Sequence, residues 1–115
     1  DVAGAPAFAA LWPDLRPWFG AAGCVAAHNA RFDRRVLEVC CMAAGFATPA
    51  VRWVCTVELA RALWRLRPAR LPDVCRHLAI PLVHHQAASD ARACAEIVIA
   101  AQQDGWRDEP ASAVR

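Results

Sequence analysis

Residues 24–37 read Cys24-Val25-Ala26-Ala27-His28-Asn29-Ala30-Arg31-Phe32-Asp33-Arg34-Arg35-Val36-Leu37, and the period of the pattern changes half-way along. The first four are wholly apolar, as expected of a short strand buried on both faces. Asn29 then stands where a helix N-cap belongs, because its side-chain oxygen can accept a backbone N–H that the first turn leaves unpaired. From Phe32 onward the apolar residues fall at helical spacing, through Val36, Val39, Cys40 and Ala43, and Gly45 supplies the stop. A buried strand that passes straight into an amphipathic helix predicts an α/β fold. Asp33 falls in the first or second turn of that helix, near the carboxyl end of the strand, and this edge is where open α/β sheets hold ligands.

The segment before it is less regular. Asp1 to Pro6 reads as a connector. In residues 7–19 Phe8, Leu11, Trp12, Leu15, Trp18 and Phe19 recur at spacings of three and four, one face of a helix that Pro13 and Pro17 should interrupt or kink. Gly20 and Gly23 bracket a turn.

Beyond Gly45 the alternation continues. Residues 51–55 look like a second strand, and Thr56 is a plausible N-cap for a helix over 57–64. Residues 65–70 form a polar, proline-containing loop. Pro72, at a first helical position, starts a short helix through Leu78 that Ile80-Pro81 ends. Residues 84–94, His84-His85-Gln86-Ala87-Ala88-Ser89-Asp90-Ala91-Arg92-Ala93-Cys94, then place one imidazole in a loop and one carboxylate at the head of an alanine-rich helix over 91–101. An imidazole titrates near neutral pH and can take a proton from water, while a carboxylate beside it can hold a hard divalent cation. His85 and Asp90 are therefore the candidate chemistry of this stretch, although the helix dipole alone favours an aspartate in a first turn. The residues from 104 to 115 form a polar tail that is expected to fray.

Composition excludes several classes. At 115 residues, with 57% hydrophobic and 21% charged residues, the chain is at most one globular domain and not a disordered one. All thirteen basic residues are arginine, yet the net charge is only +2, which permits a polyanionic partner without demanding one. The six cysteines form no C-x-x-C pair and no zinc-type spacing, and several sit inside apolar segments, which suits reduced, buried thiols. No run reaches 18 uninterrupted apolar residues and no signal peptide is visible. A cytoplasmic protein without a membrane partner is the expectation.

Two of these stretches carry a family resemblance. Val25-Ala26-Ala27-His28-Asn29-Ala30-Arg31-Phe32-Asp33 resembles the second motif, and His85-Gln86-Ala87-Ala88-Ser89-Asp90-Ala91 the third, histidine-bearing motif, of the DEDDh 3'-5' exonucleases. This is the superfamily of the proofreading epsilon subunit of bacterial DNA polymerase III. Cys55-Thr56 ahead of a helix, and Leu71 to Leu78 ahead of Ile80-Pro81-Leu82, fall in the family's order, so that the likeness spans roughly residues 5–102. It implies that Asp33 and Asp90 are catalytic carboxylates that help hold two divalent ions, Mg²⁺ or Mn²⁺. His85 would be the general base that deprotonates the attacking water, and Asn29 and Phe32 would shape the substrate position beside the terminal nucleotide. The partner implied is the 3' end of a single-stranded nucleic acid, DNA favoured over RNA, with a DNA polymerase or a fused domain as a further associate. His28, His77 and His84 are left as structural or solvated, His84 being a weaker rival to His85. Arg31, Arg34 and Arg35 could touch phosphate but more often form a solvated face.

The same resemblance implies an incomplete copy. The family's first motif, Asp-x-Glu on an opening strand, has no counterpart before His28. The expected architecture is a partial RNase H-like exonuclease fold that retains the later strands and the helices, with the first three strands missing. Residues 1–103 would be the C-terminal portion of the exonuclease domain. The two-metal site would be incomplete and the fragment inactive alone, the alternative being a truncated, non-catalytic module that binds nucleic acid or protein. Loss of those strands would also leave the apolar edge of Cys24 to Ala27 exposed and favour self-association.

Overall fold

Five helices and two short strands are present in the computed structural model, which describes residues 5–83 and 85–108. In chain order they are α1 (Ala5–Ala21), β1 (Val25–Ala27), α2 (Ala30–Ala44), β2 (Trp53–Cys55), α3 (Thr56–Leu63), α4 (Leu71–Leu78) and α5 (Ala87–Gln103). The strands pair in one parallel two-stranded sheet with α2 as the crossover, so the α/β expectation holds. His84 and residues 109–115, with the rivalry and the end of the tail that fall on them, lie outside the described residues. So do the first four residues of the expected connector. No helix among the described residues is long and apolar enough to cross a membrane.

The chain divides into two compact units. One comprises Asp1–Val25 and Arg31–Trp53, the other Ala26–Ala30 and Val54–Arg115. In the first, α1 runs through both prolines without a break, against expectation. Pro13 and Pro17 are four apart and both exposed, so the carbonyls that lose an N–H partner share one wet face where water can serve them. The apolar face of α1 also divides. Trp12 is buried between Phe8 and Phe19, with ring centroids 5.3 Å away on each side, whereas Leu11, Leu15 and Trp18 face solvent. Trp12 Nε1 is buried there without an acceptor, which offsets part of what the indole gains by burial. α2 stops at Gly45, whose φ of 81° lets Phe46 N–H reach the Cys41 carbonyl at 2.8 Å and Gly45 N–H the Met42 carbonyl at 3.2 Å. This is the closure expected of a glycine just past a helix.

The second unit holds the main core. Val57, Ala60, Ala69, Val74 and Ile97 are buried together, and Trp64, Leu66, Leu71, Leu78 and Ile80 pack around them. Fully burying a side chain such as Ile97 contributes about 1.5–3 kcal/mol, which is why α3, α4 and α5 hold although two of them have only eight residues. α4 opens with Pro72 inside its first turn and with Asp73 Oδ2 accepting the Arg70 N–H at 3.1 Å. It closes on Ala79 at φ 58°, with Ile80 N–H on the Cys75 carbonyl at 2.8 Å.

Three sequence expectations need correction. β1 is only half-buried along its length rather than buried on both faces, because the described sheet has two strands and so offers β1 a partner on one edge only. Thr56 does not cap α3; it is the first helical residue, wholly buried, and Cys55 takes the cap position without a side-chain cap bond. α5 begins three residues before Asp90, at Ala87, since Ala87, Ala88 and Ser89 extend the helix back to Gln86 at no steric cost. Residues 104–107 are hydrogen-bonded to α5 and Trp64. Trp64 Nε1–H donates to Asp104 Oδ2 at 2.7 Å, Trp106 N–H to the Ala101 carbonyl at 2.9 Å, and Arg107 to the Gln102 carbonyl at 3.1 Å.

Candidate active site

The turn between β1 and α2 is built by Asn29, which adopts a left-handed φ of 71° rather than the extended backbone of an ordinary N-cap. Asparagine is among the few side-chain-bearing residues that tolerate this region, so its contribution is to reverse the chain in one residue. Phe32 and Asp33 follow on the first turn of α2, in the first unit, both exposed. Partial desolvation nevertheless raises the Asp33 carboxyl above its usual value.

His28 sets the direction from which that turn departs. Its Nε2 lies 2.8 Å from the Ala69 carbonyl oxygen, which can only accept, so Nε2 carries the proton. The neutral ring's Nδ1 is then an acceptor, and the Thr56 hydroxyl donates to it at 2.7 Å. The same hydroxyl oxygen stands 4.0 Å from Cys94 Sγ, a much poorer acceptor at that distance. Burial pushes His28 below its ordinary value of 6.5; the Ala69 carbonyl opposes this, and the Arg61 guanidinium adds to it. His28, which the sequence leaves as structural or solvated, is thus engaged at both ring nitrogens, by partners that could not be read from the sequence. The available signal was its place at the end of an apolar strand, where an unpartnered imidazole would be costly.

His85 and Asp90 are brought to one junction. His85 is exposed in the turn just before α5, at φ 63°, and Asp90, half-buried, closes the helix's first turn with its N–H on the Gln86 carbonyl at 3.0 Å. Ser89 Oγ accepts the Val83 N–H at 2.8 Å and ties the loop before His85 to the helix. On the neighbouring α4 the Cys75 thiol is pushed up, by burial first and then by Cys94, Asp90 and Glu96. Both sequence-predicted residues therefore stand at the head of α5, one on each side of its N-cap.

The expected metal site is an incomplete one, to which this chain would bring Asp33 and Asp90. Among the described residues no group of three or more His, Cys, Asp and Glu side chains is arranged to hold a metal ion. Mg²⁺ gives up its hydration reluctantly and needs several anionic ligands close together.

Residues 1–98 match the exonuclease family, covering both the β1–α2 turn and the His85–Asp90 junction. The chain belongs to that family. Membership accounts for the two motif stretches and for their order along the chain, and makes this a DEDDh-type exonuclease chain with a partial RNase H-like fold. The exonuclease chain is also similar to a PolC-type DNA polymerase III of Oceanobacillus iheyensis, with 38% identity over 91 residues. That stretch is 77% of this chain and 6% of the polymerase, so it spans only a small part of the relative's length. No solved structure matches.

Proposed function

We propose that the chain carries part of the active site of a metal-dependent 3'-5' exonuclease, which hydrolyses phosphodiester bonds at nucleic-acid 3' ends and releases nucleoside 5'-monophosphates, DNA favoured over RNA. The observation that carries the reading is the junction at the head of α5, where an exposed imidazole and a first-turn carboxylate fall inside the stretch matched by the exonuclease family. In this reading His85 takes the proton of the attacking water. Asp90 and Asp33 are two of the carboxylates for Mg²⁺ or Mn²⁺, and Asn29 and Phe32 meet the terminal nucleotide. Further carboxylates have to join them before the ions bind. The similarity to a PolC-type polymerase supports a proofreading or repair role and a polymerase, or a fused polymerase domain, as associate.

Because the described residues lack a three-donor group, the chain alone is expected to release no mononucleotides from a 3'-labelled single strand in Mn²⁺. Joining an Asp-x-Glu strand ahead of residue 1 should restore stepwise release, and His85→Ala should then lower it by about 10²–10⁴-fold. An extended protein that stays inert, or one indifferent to His85→Ala, would favour the second reading, a non-catalytic module that binds nucleic acid or protein.

A further inference from the structure

Beside His28, and entirely within the second unit, lies a cavity of about 300 Å³ of whose lining the exonuclease reading uses only Asn29. Val57, Leu71 and the buried Ala69 give it an apolar lining. Part of the lining is cationic. Arg61 and Arg70 line it together with Asn29, and no carboxylate does.

The two arginines are not equivalent. Arg70 is held by Asp73, with Nε 2.8 Å from Oδ2 and Nη2 3.2 Å from Oδ1. This grip neutralises much of its charge but fixes the guanidinium plane and leaves Nη1 to donate elsewhere. Arg61 has no such partner. No carboxylate of the described residues lies within ion-pair distance of it. Arg61 lines the cavity beside the half-buried His28 imidazole, and its charge helps to hold His28 below its ordinary pKa. His28 cannot supply an acceptor to Arg61, since Nδ1 and Nε2 are already engaged with Thr56 and Ala69. An unmatched guanidinium in a partly apolar cavity, with a pre-oriented donor and a side-chain amide in the same lining, has the chemistry of a phosphate-binding subsite with room for the attached sugar or base.

We infer that this cavity binds an internucleotide phosphate of a single-stranded nucleic acid, with Arg61 as its principal ligand. The inference deepens the nuclease reading by naming a phosphate contact of the strand beside Asn29, and it rests on that reading for the choice of a nucleic acid. Its test needs no catalysis. Binding of a fluorescein-labelled single-stranded 12-mer is followed by anisotropy in EDTA, across a salt series. Arg61→Gln, at an exposed position that leaves the core untouched, should weaken binding about tenfold. The salt slope should fall by roughly 0.7, one phosphate contact on a single strand. Arg61→Lys, which keeps the charge, should retain the slope. Arg34→Gln, whose guanidinium already pairs with Glu38 at 3.3 Å, should change neither. Unchanged affinity and slope in Arg61→Gln overturn the inference. So does displacement of the 12-mer by thymidine 5'-monophosphate or inorganic phosphate at the concentrations at which unlabelled 12-mer displaces it, because the ligand is then a free anion. Loss of His85-dependent hydrolysis leaves these readouts intact, so the two readings fail separately.

Discussion

The Nδ1 atom of His28 accepts a hydrogen bond of 2.7 Å from the hydroxyl of Thr56, across 28 residues of sequence. This bond joins the end of β1 to the first turn of α3 and explains why a threonine that looks like a cap is buried inside the helix. Thr56→Val keeps the shape of the side chain but leaves Nδ1 without its donor, and should cost about 1–3 kcal/mol. Thr56→Ser keeps the hydroxyl and should cost less. Thermal melting of the two variants decides between them: a serine variant less stable than the valine variant would mean that packing, not the hydrogen bond, is what Thr56 contributes.

The same imidazole gives folding a pH dependence with a definite sign. His28 is held below 6.5 in the folded chain, by burial first, and returns to about 6.5 when unfolded. Between the two values the unfolded chain binds more protons, so stability rises with pH there. The contribution is complete above about 6.5 and is lost as pH falls towards the folded value. Urea midpoints taken at half-unit steps from pH 7.5 downward should decline in the wild type, and the decline should flatten in His28→Asn. Arg61 and, behind Thr56, the Cys94 thiol also face His28.

Much of the fold is legible in the sequence because local signals and tertiary packing agree. The Pro72 start of α4, a helix that buries Val74 and Cys75, is such a place. Legibility fails where a distant partner decides. Thr56 enters α3 because His28 occupies its hydroxyl, and Trp64 bonds to Asp104 from 40 positions away. The helix through Pro13 and Pro17 was hidden for another reason, since which face of it is wet is set by the burial of Trp12. In the candidate site the spacing of His85 to Asp90 was enough to place both at the head of α5. Arg61 was not distinguishable from twelve other arginines without the cavity it lines.

Two backbone positions predict opposite outcomes for exchanges between alanine and glycine. Ala79 sits at φ 58° and ψ 41°, a conformation that disfavours any residue with a Cβ by about 1–2 kcal/mol. Ala79→Gly relieves this but frees the unfolded chain by about 0.4–1 kcal/mol, so a net gain of up to about 1 kcal/mol is expected. Gly45→Ala should lose about 1 kcal/mol at φ 81°, by backbone strain alone, because nothing stands within 4 Å of the added Cβ. Chemical denaturation of the pair checks the signs.

Trp64→Phe removes the indole N–H that reaches Asp104 while keeping the ring against the core. The global loss should be small, about 0.5–1.5 kcal/mol, but local. Amide exchange at Gly105 and Trp106, whose N–H groups bond to the Gln102 and Ala101 carbonyls, should accelerate more than exchange in α4. Equal acceleration in both places would mean that the bond serves the whole unit and not the end of α5.

The self-association expected from β1 has a better-placed cause on α2. Phe32, Val36, Val39 and Met42 recur at spacings of three and four, and are 69%, 45%, 47% and 72% exposed, so one contiguous stripe of the helix presents apolar surface. Patches of this kind drive association in otherwise soluble chains. Val36→Lys combined with Met42→Lys breaks the stripe at two exposed points, each a good helix position for lysine, and leaves Phe32 and Asp33 unchanged. Sedimentation velocity at rising concentration should show the wild type shifting to larger species and the double variant shifting less. The same shift in both would direct attention back to the half-buried edge at Val25–Ala27.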